Sequence, residues 1–437
     1  MRKILVYASL ALSICTSSSA FATDQITILS PHRRSIQEEF VPKFKEYYKN
    51  KFKTDVTVSW LDQGGTSDDI RFLKAKYAKD PKSSGIDIFW GGGLSTFIEL
   101  NKEKYLAKYS ISPTLQKHIP ATLAGIQLHD ASQSWYASAM SSFGIFYNKM
   151  ILKIEGIPEP KTWKDLANIK YLDNISTADP RRSGSATTMD NIILQSLGWE
   201  KGWELLTAIA GNTKKFTHSS SDPIKSVVSG DTACAMAIDF YANAKIGDLG
   251  PKNLGFSLPP SQTVIDPDPV AILKGAPNRK TAERFVEYVL SAEAQKLLIL
   301  PKGQKDGPKL AVLGRMAIND KAYNDTEGRR TSDINPFKMK PALQYDVEKA
   351  AKLHRILGDL IGALHIDTHR ELKAAWKAMI KRKSHEKDLA EFGKMPVSEK
   401  EALALAEKWD DNVFRNKTIN NWYDFAKSKY SAIEKGK

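Results

Sequence analysis

Residues 135–147 read Trp-Tyr-Ala-Ser-Ala-Met-Ser-Ser-Phe-Gly-Ile-Phe-Tyr, an uncharged run that is rich in aromatic and small residues. Aromatic residues favour strands and no proline interrupts the run, so we predict one continuous strand. Strands within a single domain are usually about five or six residues long. A strand of this length is therefore predicted to cross between two lobes. Residues 255–273, which prolines interrupt, are predicted to form the return crossing.

The residues before this strand alternate between strand and helix patterns. Residues 25–30, 55–60 and 86–90 have the β-branched or alternating apolar pattern of strands, and a helical pattern follows each of them. A glycine-rich loop precedes the second helix, where we expect Thr66 or Ser67 at the N-cap. This alternation predicts a wound α/β sheet, and such sheets bind ligands in loops at the carboxyl ends of their strands.

A loop rich in hydroxyl groups and arginine, Asp179-Pro180-Arg181-Arg182-Ser183-Gly184-Ser185-Ala186, joins a short predicted strand to a helix. Ser183 or Ser185 is expected to cap that helix, so unpaired backbone N–H groups lie beside two guanidinium groups. These features together predict an anion site. The alternative is an ordinary capped turn with solvated arginines. The pattern does not separate Arg181 from Arg182, and we place Arg181 in the site.

The first 22 residues have the pattern of a signal peptide. Two basic residues precede an apolar run that is too short to span a bilayer, and residues 20–22, Ala-Phe-Ala, form a small-x-small cleavage site. We predict cleavage after Ala22 and a periplasmic mature chain. Lipid attachment at Cys15 is the weaker alternative, because Ile14 stands where a small residue is wanted.

The composition fits a large exported protein. The 437-residue chain carries a formal charge of +14, and 42% of its residues are hydrophobic, which suffices for two or more domains with their own cores. After processing only Cys234 remains, which excludes an internal disulfide. Nucleic acid binding is disfavoured, because the chain is exported and its basic residues are scattered without a basic arm. The charge instead favours anionic ligands or an anionic membrane face.

The C-terminal part of the chain, from about residue 335, has an almost wholly helical pattern. Its amphipathic runs are residues 347–365, 370–380, 400–409 and 422–433. We predict that residues 331–437 form a helical extension packed on a lobe. His365 and His369 have the spacing of one helical face, which is weak evidence for zinc, and a solvated surface is the default interpretation.

Short motifs in a fixed order give the chain a family resemblance. They are Ser30-Pro31-His32, Gly64-Gly65-Thr66-Ser67, residues 87–93 (Asp-Ile-Phe-Trp-Gly-Gly-Gly), residues 143–148 (Phe-Gly-Ile-Phe-Tyr-Asn), residues 160–166 (Pro-Lys-Thr-Trp-Lys-Asp-Leu), Asp179-Pro180 with Ser183-Gly184-Ser185, Ser229-Gly230-Asp231 and residues 292–297 (Ala-Glu-Ala-Gln-Lys-Leu). Together they resemble the periplasmic solute-binding proteins of ABC importers. The similar group is the two-lobed type II class, which includes ferric-ion, hexose-phosphate, phosphonate and polyamine binders.

The resemblance covers residues 25–317 and implies both a fold and a role. The implied fold is α/β and two-lobed, a type II periplasmic-binding-protein-like fold with hinge crossings and, here, a C-terminal helical extension. One lobe comprises residues 23–135 with 270–330, and the other comprises residues 136–269. The lobes are expected to close on a ligand and deliver it, as a monomer, to a membrane permease. No bond need be broken, so we expect a binding protein without enzymatic activity or a cofactor.

Two kinds of ligand are considered for the cleft. Similar ferric-ion binders use two adjacent tyrosines, whereas residues 239–242 here read Asp-Phe-Tyr-Ala, and Phe240 cannot bind a metal. His32, Asp239 and Tyr241 would supply only a partial ferric site. A small anionic, phosphorylated solute is better served, because hydroxyl and guanidinium groups lie at loop ends where helix N-termini add backbone donors.

The residues predicted to contact this solute fall into groups by chemistry. Donors for the anion are Ser30, Thr66, Ser67, Ser141, Arg181, Ser183, Ser185 and Ser219. The other predicted contacts are Asp239 and Asp268 for sugar hydroxyls, Trp90 or Tyr241 for the flat face of a ring, and His32 within the cleft. Taken singly, each serine is better explained as a helix cap.

An exported hydrolase of phosphate esters is the competing class of function. The sequence contains no G-x-S-x-G, no H-E-x-x-H and no aspartate-rich metal loop, although scattered carboxylates can still pair in space. A purely structural envelope protein is disfavoured by the number of polar loop ends.

Overall fold

The computed structural model describes residues 23–123, 125–332, 334–338 and 343–436. The predicted signal peptide lies outside the described residues. The strands are β1 (Asp24–Leu29), β2 (Val56–Leu61), β3 (Ile88–Trp90), β4 (Leu106–Ala107), β5 (Thr122–Leu123), β6 (Ile126–Gln127), β7 (Tyr136–Asn148), β8 (Ile175–Ala178), β9 (Thr213–Thr217), β10 (Cys234–Ile238), β11 (Leu254–Ser257) and β12 (Ile265–Leu273).

The helices are α1 (Arg34–Phe52), α2 (Thr66–Lys79), α3 (Leu94–Lys102), α4 (Pro113–Gln116), α5 (Lys149–Ile154), α6 (Gly184–Leu197), α7 (Trp199–Asn212), α8 (Asp222–Val228), α9 (Asp239–Leu249), α10 (Arg279–Leu290), α11 (Ala292–Ile299), α12 (Asp320–Asn324), α13 (Val347–Ile361), α14 (His369–Arg382), α15 (Leu389–Phe392), α16 (Glu399–Ala406) and α17 (Asn412–Glu434). Short 3₁₀ turns span Trp163–Ala167, Ile169–Tyr171 and Pro336–Lys338. A π-helical turn, Gly362–Ile366, follows α13.

A mixed sheet runs through the molecule in the order β2-β1-β3-β12-β7-β10-β8-β9. On one side, β1 lies parallel to β2 and β3, and β12 runs antiparallel to β3. On the other side, β8 lies parallel to β9 and β10. Beside this path β11 pairs with β7 and β4 pairs with β12, while β5 and β6 form a separate two-stranded sheet. The predicted α/β alternation is confirmed.

The long strand predicted for residues 135–147 is confirmed as β7. Its residues 136–142 pair with residues 265–270 of β12. Its residues 143–147 pair with residues 234–238 of β10. β7 and β12 therefore connect a first lobe, built on β1–β3, to a second lobe, built on β8–β10. The residue boundaries given above for the two lobes stay a prediction.

Each lobe has an aromatic core. In the first lobe α1 and α10 cover the sheet, and the rings of Phe40 and Phe285 meet the buried Trp90 edge-on. In the second lobe Trp163 and Trp203 are completely buried. Because burying one large side chain contributes about 1.5–3 kcal/mol, these clusters stabilise each lobe.

The C-terminal helices pack into the core of the second lobe, and the predicted helical extension is confirmed. α14 lies between α7 and α17, and its Trp376 is 1% exposed and stacks on Phe392. The Trp376 Nε1 group donates to Asn212 Oδ1 at the end of α7, over 2.8 Å. In the described part of the chain, none of the helices combines the length and the apolar character needed to cross a bilayer.

Three local predictions were wrong. The helical spacing of residues 278–300 predicts one helix, but these residues form two, because Ser291 leaves the helical conformation and its hydroxyl caps α11 by accepting from the Ala294 N–H. α17 begins at Asn412, well before the predicted start at residue 422, since Asp411 caps it. The N-cap of α2 is Gly65, and Thr66 is the first helical residue.

Candidate ligand-binding site

A hydrogen-bonded chain of three side chains lies where β1 ends and β12 passes. The His32 ring donates from Nε2 to Asp268 Oδ2 over 2.8 Å, which leaves Nδ1 to accept from the Ser30 hydroxyl over 3.0 Å. Ser30 is completely buried and His32 is 6% exposed. Burial lowers the pKa of His32, so the imidazole is neutral at pH 7. The structure therefore brings together three predicted site residues.

Gly91 leaves room for the His32 ring, because it has no side chain. Its φ of +92° lies in the left-handed region that favours glycine, and a Cβ there would come within 2.6 Å of His32 Cε1. The ring of Trp90 meets His32 edge-on, with centroids 4.9 Å apart. The loop after β3 thus shapes the pocket that holds the imidazole.

The Asp268 carboxylate also binds Arg315 and the backbone of Gly93. Arg315 Nη1 donates to Asp268 Oδ2, and the Gly93 N–H donates to Oδ1 over 3.3 Å. Burial alone would raise the pKa of Asp268, but Arg315 and His32 hold it below its usual range. Asp268 is therefore ionised and neutralises one guanidinium group.

Two arginines from the first lobe reach the start of α9 in the second lobe. The Arg315 guanidinium lies 4.1 Å from the centroid of the Phe240 ring, and that of Arg33 lies 5.7 Å from Phe240 and 5.2 Å from Tyr241. The Nε atoms of both arginines are buried and have no hydrogen-bond partner among the described residues. Arg33 donates to the Leu313 carbonyl, and burial together with Arg315 lowers its pKa. We call His32, Arg33, Asp268 and Arg315 the basic cluster.

Asp239 lies beside this cluster at the start of α9. It is completely buried, and its Oδ2 accepts from the Ser142 hydroxyl over 2.9 Å, while no described residue forms a hydrogen bond with Oδ1. Burial raises the pKa of Asp239 to about 7. Ser142, the neighbour of the predicted Ser141, is thus the serine that meets this carboxyl.

The loop before α6 faces a second hydroxyl-rich loop. Ser183 is the N-cap of α6, because its hydroxyl accepts from the Ala186 N–H over 3.2 Å. The same hydroxyl lies 2.8 Å from that of Ser220, and the Ser219 hydroxyl lies 3.1 Å from that of Ser221. The cap assigned to Ser183 or Ser185 is therefore Ser183.

Arg181 has partners that the sequence did not indicate. Its guanidinium donates to both oxygens of Asp179 and, through Nη1, to both oxygens of Asp367 in the C-terminal extension. Gly362 permits this approach, since a Cβ there would lie 2.8 Å from Arg181 Cδ. Arg182 instead meets His218 Nε2 over 2.6 Å. Arg181 thus joins two parts of the second lobe, and its contact with a ligand stays a prediction.

A family model described as "Bacterial extracellular solute-binding protein" matches residues 84–305, about half of the chain. The chain belongs to this family. The predicted solute-binding role and the family resemblance are confirmed at this level. The family and the structural neighbours are binding proteins.

Curated relatives of this solute-binding protein include the phosphoglycerate transport regulatory protein PgtC of Salmonella typhimurium. PgtC is 30% identical over 200 residues, which cover 46% of this chain and 47% of PgtC, so the chain matches about half the length of that relative. An uncharacterized protein of Haemophilus influenzae is 26% identical over 345 residues, which cover 78% of this chain and 90% of that protein.

Solved structures with the same fold include two periplasmic binding proteins. AfuA of Actinobacillus pleuropneumoniae, with fructose-6-phosphate bound, is 22% identical with a TM-score of 0.57, over 82% of this chain and 98% of AfuA. Ferric ion-binding protein A of Pasteurella haemolytica is 16% identical with a TM-score of 0.58, over 78% of this chain and 97% of that chain. These similarities confirm the two-lobed type II fold.

The remaining predicted site residues of the solute-binding protein are spread over its surfaces and core. Trp90 is 2% exposed, donates to Ser138 and is packed among first-lobe rings, so no face of it is free for a ligand ring. Ser141 is buried in β7, and Thr66 lies against the Gly92 backbone. Ser67 is exposed and Ser185 is half-buried near the start of α6. The ring-stacking role predicted for Trp90 is not available in this arrangement.

The residues considered for a ferric site do not share one centre. His32 binds Asp268, Asp239 binds Ser142, and Tyr241 lies under the Arg33 guanidinium. Within the residues described, no group of three or more His, Cys, Asp or Glu side chains is arranged to hold a metal ion.

His365 and His369 bind the second lobe. His365 is 2% exposed and 3.1 Å from Thr207 Oγ1, and burial lowers its pKa to about 3. His369 donates to the Ala210 carbonyl over 3.2 Å. The solvated surface taken as their default was therefore wrong, because α7 covers this part of the extension.

Sequence reasoning missed Arg33, Arg315 and the role of Phe240. Arg33 directly follows His32 in a loop that was already assigned to the cleft, which is a usable signal. Arg315 lies in the irregular segment between α11 and α12, where no periodicity places it. Phe240 cannot bind a metal, which hides its role in the sequence. In the structure, the guanidinium groups of Arg33 and Arg315 both lie over its ring.

The order Ser30, His32, Asp268 is that of a nucleophile, a base and an acid. However, Ser30 is completely buried and Asp268 is shared with Arg315, so the hydroxyl has no open path to a substrate. The arrangement fixes the imidazole and the carboxylate in place. Chemically, it suits binding of a charged group by preset donors.

Proposed function

We propose that this solute-binding protein is the receptor component of an ABC import system, and that it captures a small anionic, phosphorylated solute between its lobes. The observation that carries the proposal is the basic cluster, where the ionised Asp268 pairs with Arg315, while Arg33 makes no ion pair with a described residue. Leaving a charge out of water without a partner costs several kcal/mol. An anion that binds Arg33 and the free side of Arg315 offsets this cost.

The position of the cluster supports a role in closure. Arg33 and Arg315 belong to the first lobe, whereas Phe240 and Tyr241 begin α9 in the second lobe. An anion bound between them contacts both lobes at once. Ligand binding then favours the closed form by its differential contacts, which is the condition for a population shift.

The second lobe offers a further set of donors. α6 begins at Gly184 with Ser183 as its cap, and the serines at 219–221 lie opposite. Unpaired N–H groups and the helix dipole at such a start favour anions by about 0.3–1 kcal/mol. We therefore retain Ser183, Ser185 and Ser219 as proposed contacts and add Arg33 and Arg315.

The site suits a ferric ion less well than it suits an anion. Hard cations require several anionic oxygen donors, whereas the position next to Tyr241 is filled by a guanidinium group at 5.2 Å from the ring. Two like charges at about 4 Å repel by about 4 kcal/mol at an effective dielectric constant of 20, and the repulsion grows with the charge of the ion. Arg33 and Arg315 therefore act against a trivalent cation.

The names of relatives support the same class of ligand. PgtC is named for phosphoglycerate transport, and AfuA was solved with fructose-6-phosphate. Both compounds are small and phosphorylated. We further propose that the mature chain begins after Ala22, acts in the periplasm as a monomer, and passes its ligand unchanged to a membrane permease.

The proposal is tested on freshly purified mature protein. Native mass spectrometry before and after dialysis is expected to find a bound small anion, which leaves with its mass unchanged. The dialysed protein is then heated with inorganic phosphate, 3-phosphoglycerate, fructose 6-phosphate or ferric citrate. We expect a phosphorylated compound to raise the Tm. Stabilisation by ferric citrate alone, with a visible band that Tyr241→Phe removes, or turnover of a phosphate ester, contradicts the proposal.

A further inference from the structure

A groove of about 50 Å³ lies where the two lobes meet the C-terminal extension. Ser95 of the first lobe, Asn191 of the second lobe and Asp266 of β12 contribute to its walls. Tyr345 and His354 of the extension complete them. By volume, the groove has room for about four water-sized groups. The extension therefore forms part of a cavity between the lobes.

Asn191, on the wall of the groove, has a buried polar atom that lacks a hydrogen-bond partner among the described residues. Asn191 is 2% exposed, and its Nδ2 donates to the Thr187 carbonyl over 3.2 Å, yet its buried Oδ1 has no hydrogen bond to the part of the chain that the structure describes. Leaving such an acceptor unpaired costs about 1–3 kcal/mol. A hydroxyl group of a ligand would satisfy this oxygen.

Asp266 gives the groove a carboxyl group that can both donate and accept. Burial, and then the neighbouring Asp268, raise the pKa of Asp266 to about 7. Near neutral pH this carboxyl exists in both protonation states, which suits pairing with hydroxyl groups. Tyr345 adds a phenol close enough for Asp266 to raise its pKa as well, after burial as the main cause.

The groove adjoins the basic cluster. Asp266 and Asp268 are two residues apart on β12, and side chains at that spacing point to the same face of a strand. Both carboxyl groups lie near Gly93: its N–H donates to Asp268, and a Cβ built on it would be 3.8 Å from Asp266 Oδ2. The groove and the basic cluster therefore meet at Gly93, Asp266 and Asp268.

We propose that this groove holds the uncharged, hydroxyl-bearing part of the solute, so that the ligand is a phosphorylated polyol and the C-terminal extension supplies part of its binding site. The inference rests on the proposed function, since the anion of the ligand is held by Arg33 and Arg315. Carboxyl groups and amides that pair with hydroxyl groups distinguish this end of the site from the cationic end. Tyr345 and Asn191 are the residues that set specificity.

The test compares a ligand with and without the polyol. Calorimetric titrations with glycerol 3-phosphate and with inorganic phosphate are carried out on the wild-type mature protein and on Tyr345→Phe and Asn191→Leu. We expect both variants to bind glycerol 3-phosphate at least about five-fold more weakly, the scale of one hydrogen bond, and to bind inorganic phosphate within two-fold of wild type. Tyr423→Phe, on α17, is the control and is expected to bind both compounds as wild type does.

The outcomes separate the two proposals. Unchanged affinity of Tyr345→Phe and Asn191→Leu for glycerol 3-phosphate overturns the groove as a polyol site, as does an equal loss for both compounds. Wild-type protein that binds none of inorganic phosphate, glycerol 3-phosphate, 3-phosphoglycerate and fructose 6-phosphate overturns the proposed function and the groove with it. Thermal melting of each variant checks that it is folded.

Discussion

In the structure Arg33, and not Arg181, is the better candidate to bind the anion. The sequence placed Arg181 at the anion, but its guanidinium is bound by Asp179 and Asp367. Arg33 has a backbone carbonyl and two aromatic rings as its neighbours, and its Nε is buried without a partner. A charged group without a counter-charge is the better candidate for an anionic ligand.

We expect Arg181→Ala to lower stability more than ligand affinity. The change leaves the Asp179 and Asp367 carboxylates without their shared cation, which costs about 1–3 kcal/mol of unfolding free energy. Urea unfolding measures this loss, and Arg182→Ala is the neighbouring control. A fall in anion affinity of more than about 2 kcal/mol with little change in stability would instead support the ligand contact predicted from sequence.

Asp190 gives the protein a pH dependence that a substitution can remove. It is buried in the second lobe, and burial raises the pKa of its carboxyl to about 8. Between about pH 4 and pH 8 the unfolded chain has released this proton and the folded chain retains it, so stability falls as pH rises. The unfolding free energy falls by at most about 1.4 kcal/mol for each pH unit.

We therefore expect Asp190→Asn to be more stable than wild type at pH 8 and to match it near pH 4. Chemical unfolding across this range gives the difference between the two proteins. Asp239 and Asp266 titrate in the same window, but they are present in both proteins and cancel. A stability difference that does not change with pH would show that Asp190 is ionised in the folded state.

Site residues were predictable from sequence only where neighbouring residues determine their position. Ser183 as a cap and Ser30 with His32 after β1 were readable, because caps and strand ends are set by neighbouring residues. The pairing of His32 with Asp268, 236 residues away, and of Arg181 with Asp367 depends on tertiary contact. No local pattern contains that information.

At the scale of elements, the crossing strand was the strongest sequence signal. β7 lacks charge along its whole length, and it is buried from Tyr136 to Tyr147. Helix ends were less predictable, because Ser291 starts a second helix inside one run of helical spacing and Asp411 starts α17 before its predicted amphipathic run. Capping competes with periodicity there, and a single hydroxyl or carboxylate decides the result.

The contact between α7 and α14 depends on one glycine. A Cβ at Gly211 would lie 2.6 Å from Trp376 Cγ, which no unstrained packing allows. We expect Gly211→Ala to destabilise the protein by about 1–3 kcal/mol, because the indole must shift. Lys201→Ala, at an exposed position of the same helix, is expected to change stability by less than about 0.5 kcal/mol.

Urea unfolding monitored by tryptophan fluorescence measures both variants. Equally small losses of unfolding free energy for Gly211→Ala and Lys201→Ala would contradict this packing. That outcome would mean that α14 does not lie against α7 in solution.

At the scale of the whole molecule, the C-terminal extension touches both lobes. Val347, at the start of α13, packs against the first-lobe cluster that includes Leu94 and Ile126. Leu353 and Leu357, farther along α13, belong to the core of the second lobe. We therefore expect opening of the cleft to break the Val347 contact and to couple the extension to the hinge.

We expect Val347→Ser to favour the open form. Losing this half-buried side chain costs about 1 kcal/mol, which shifts the equilibrium between closed and open forms about five-fold. Small-angle X-ray scattering of the ligand-free protein is expected to give a larger radius of gyration for Val347→Ser. Val413→Ser, at a position that is 80% exposed, is the control. Equal radii for the two variants would show that the extension does not restrain the hinge.

The most direct test of the account is calorimetric titration of two neighbouring arginine variants with inorganic phosphate and glycerol 3-phosphate. Arg33 meets the second lobe across the cleft, whereas the Arg34 side chain is 84% exposed and pairs with Glu38. We predict that Arg33→Gln weakens binding of both compounds at least about ten-fold, and that Arg34→Gln changes it by less than two-fold. Equal affinities of the two folded variants would contradict the claim that the buried guanidinium groups of the basic cluster bind the anion.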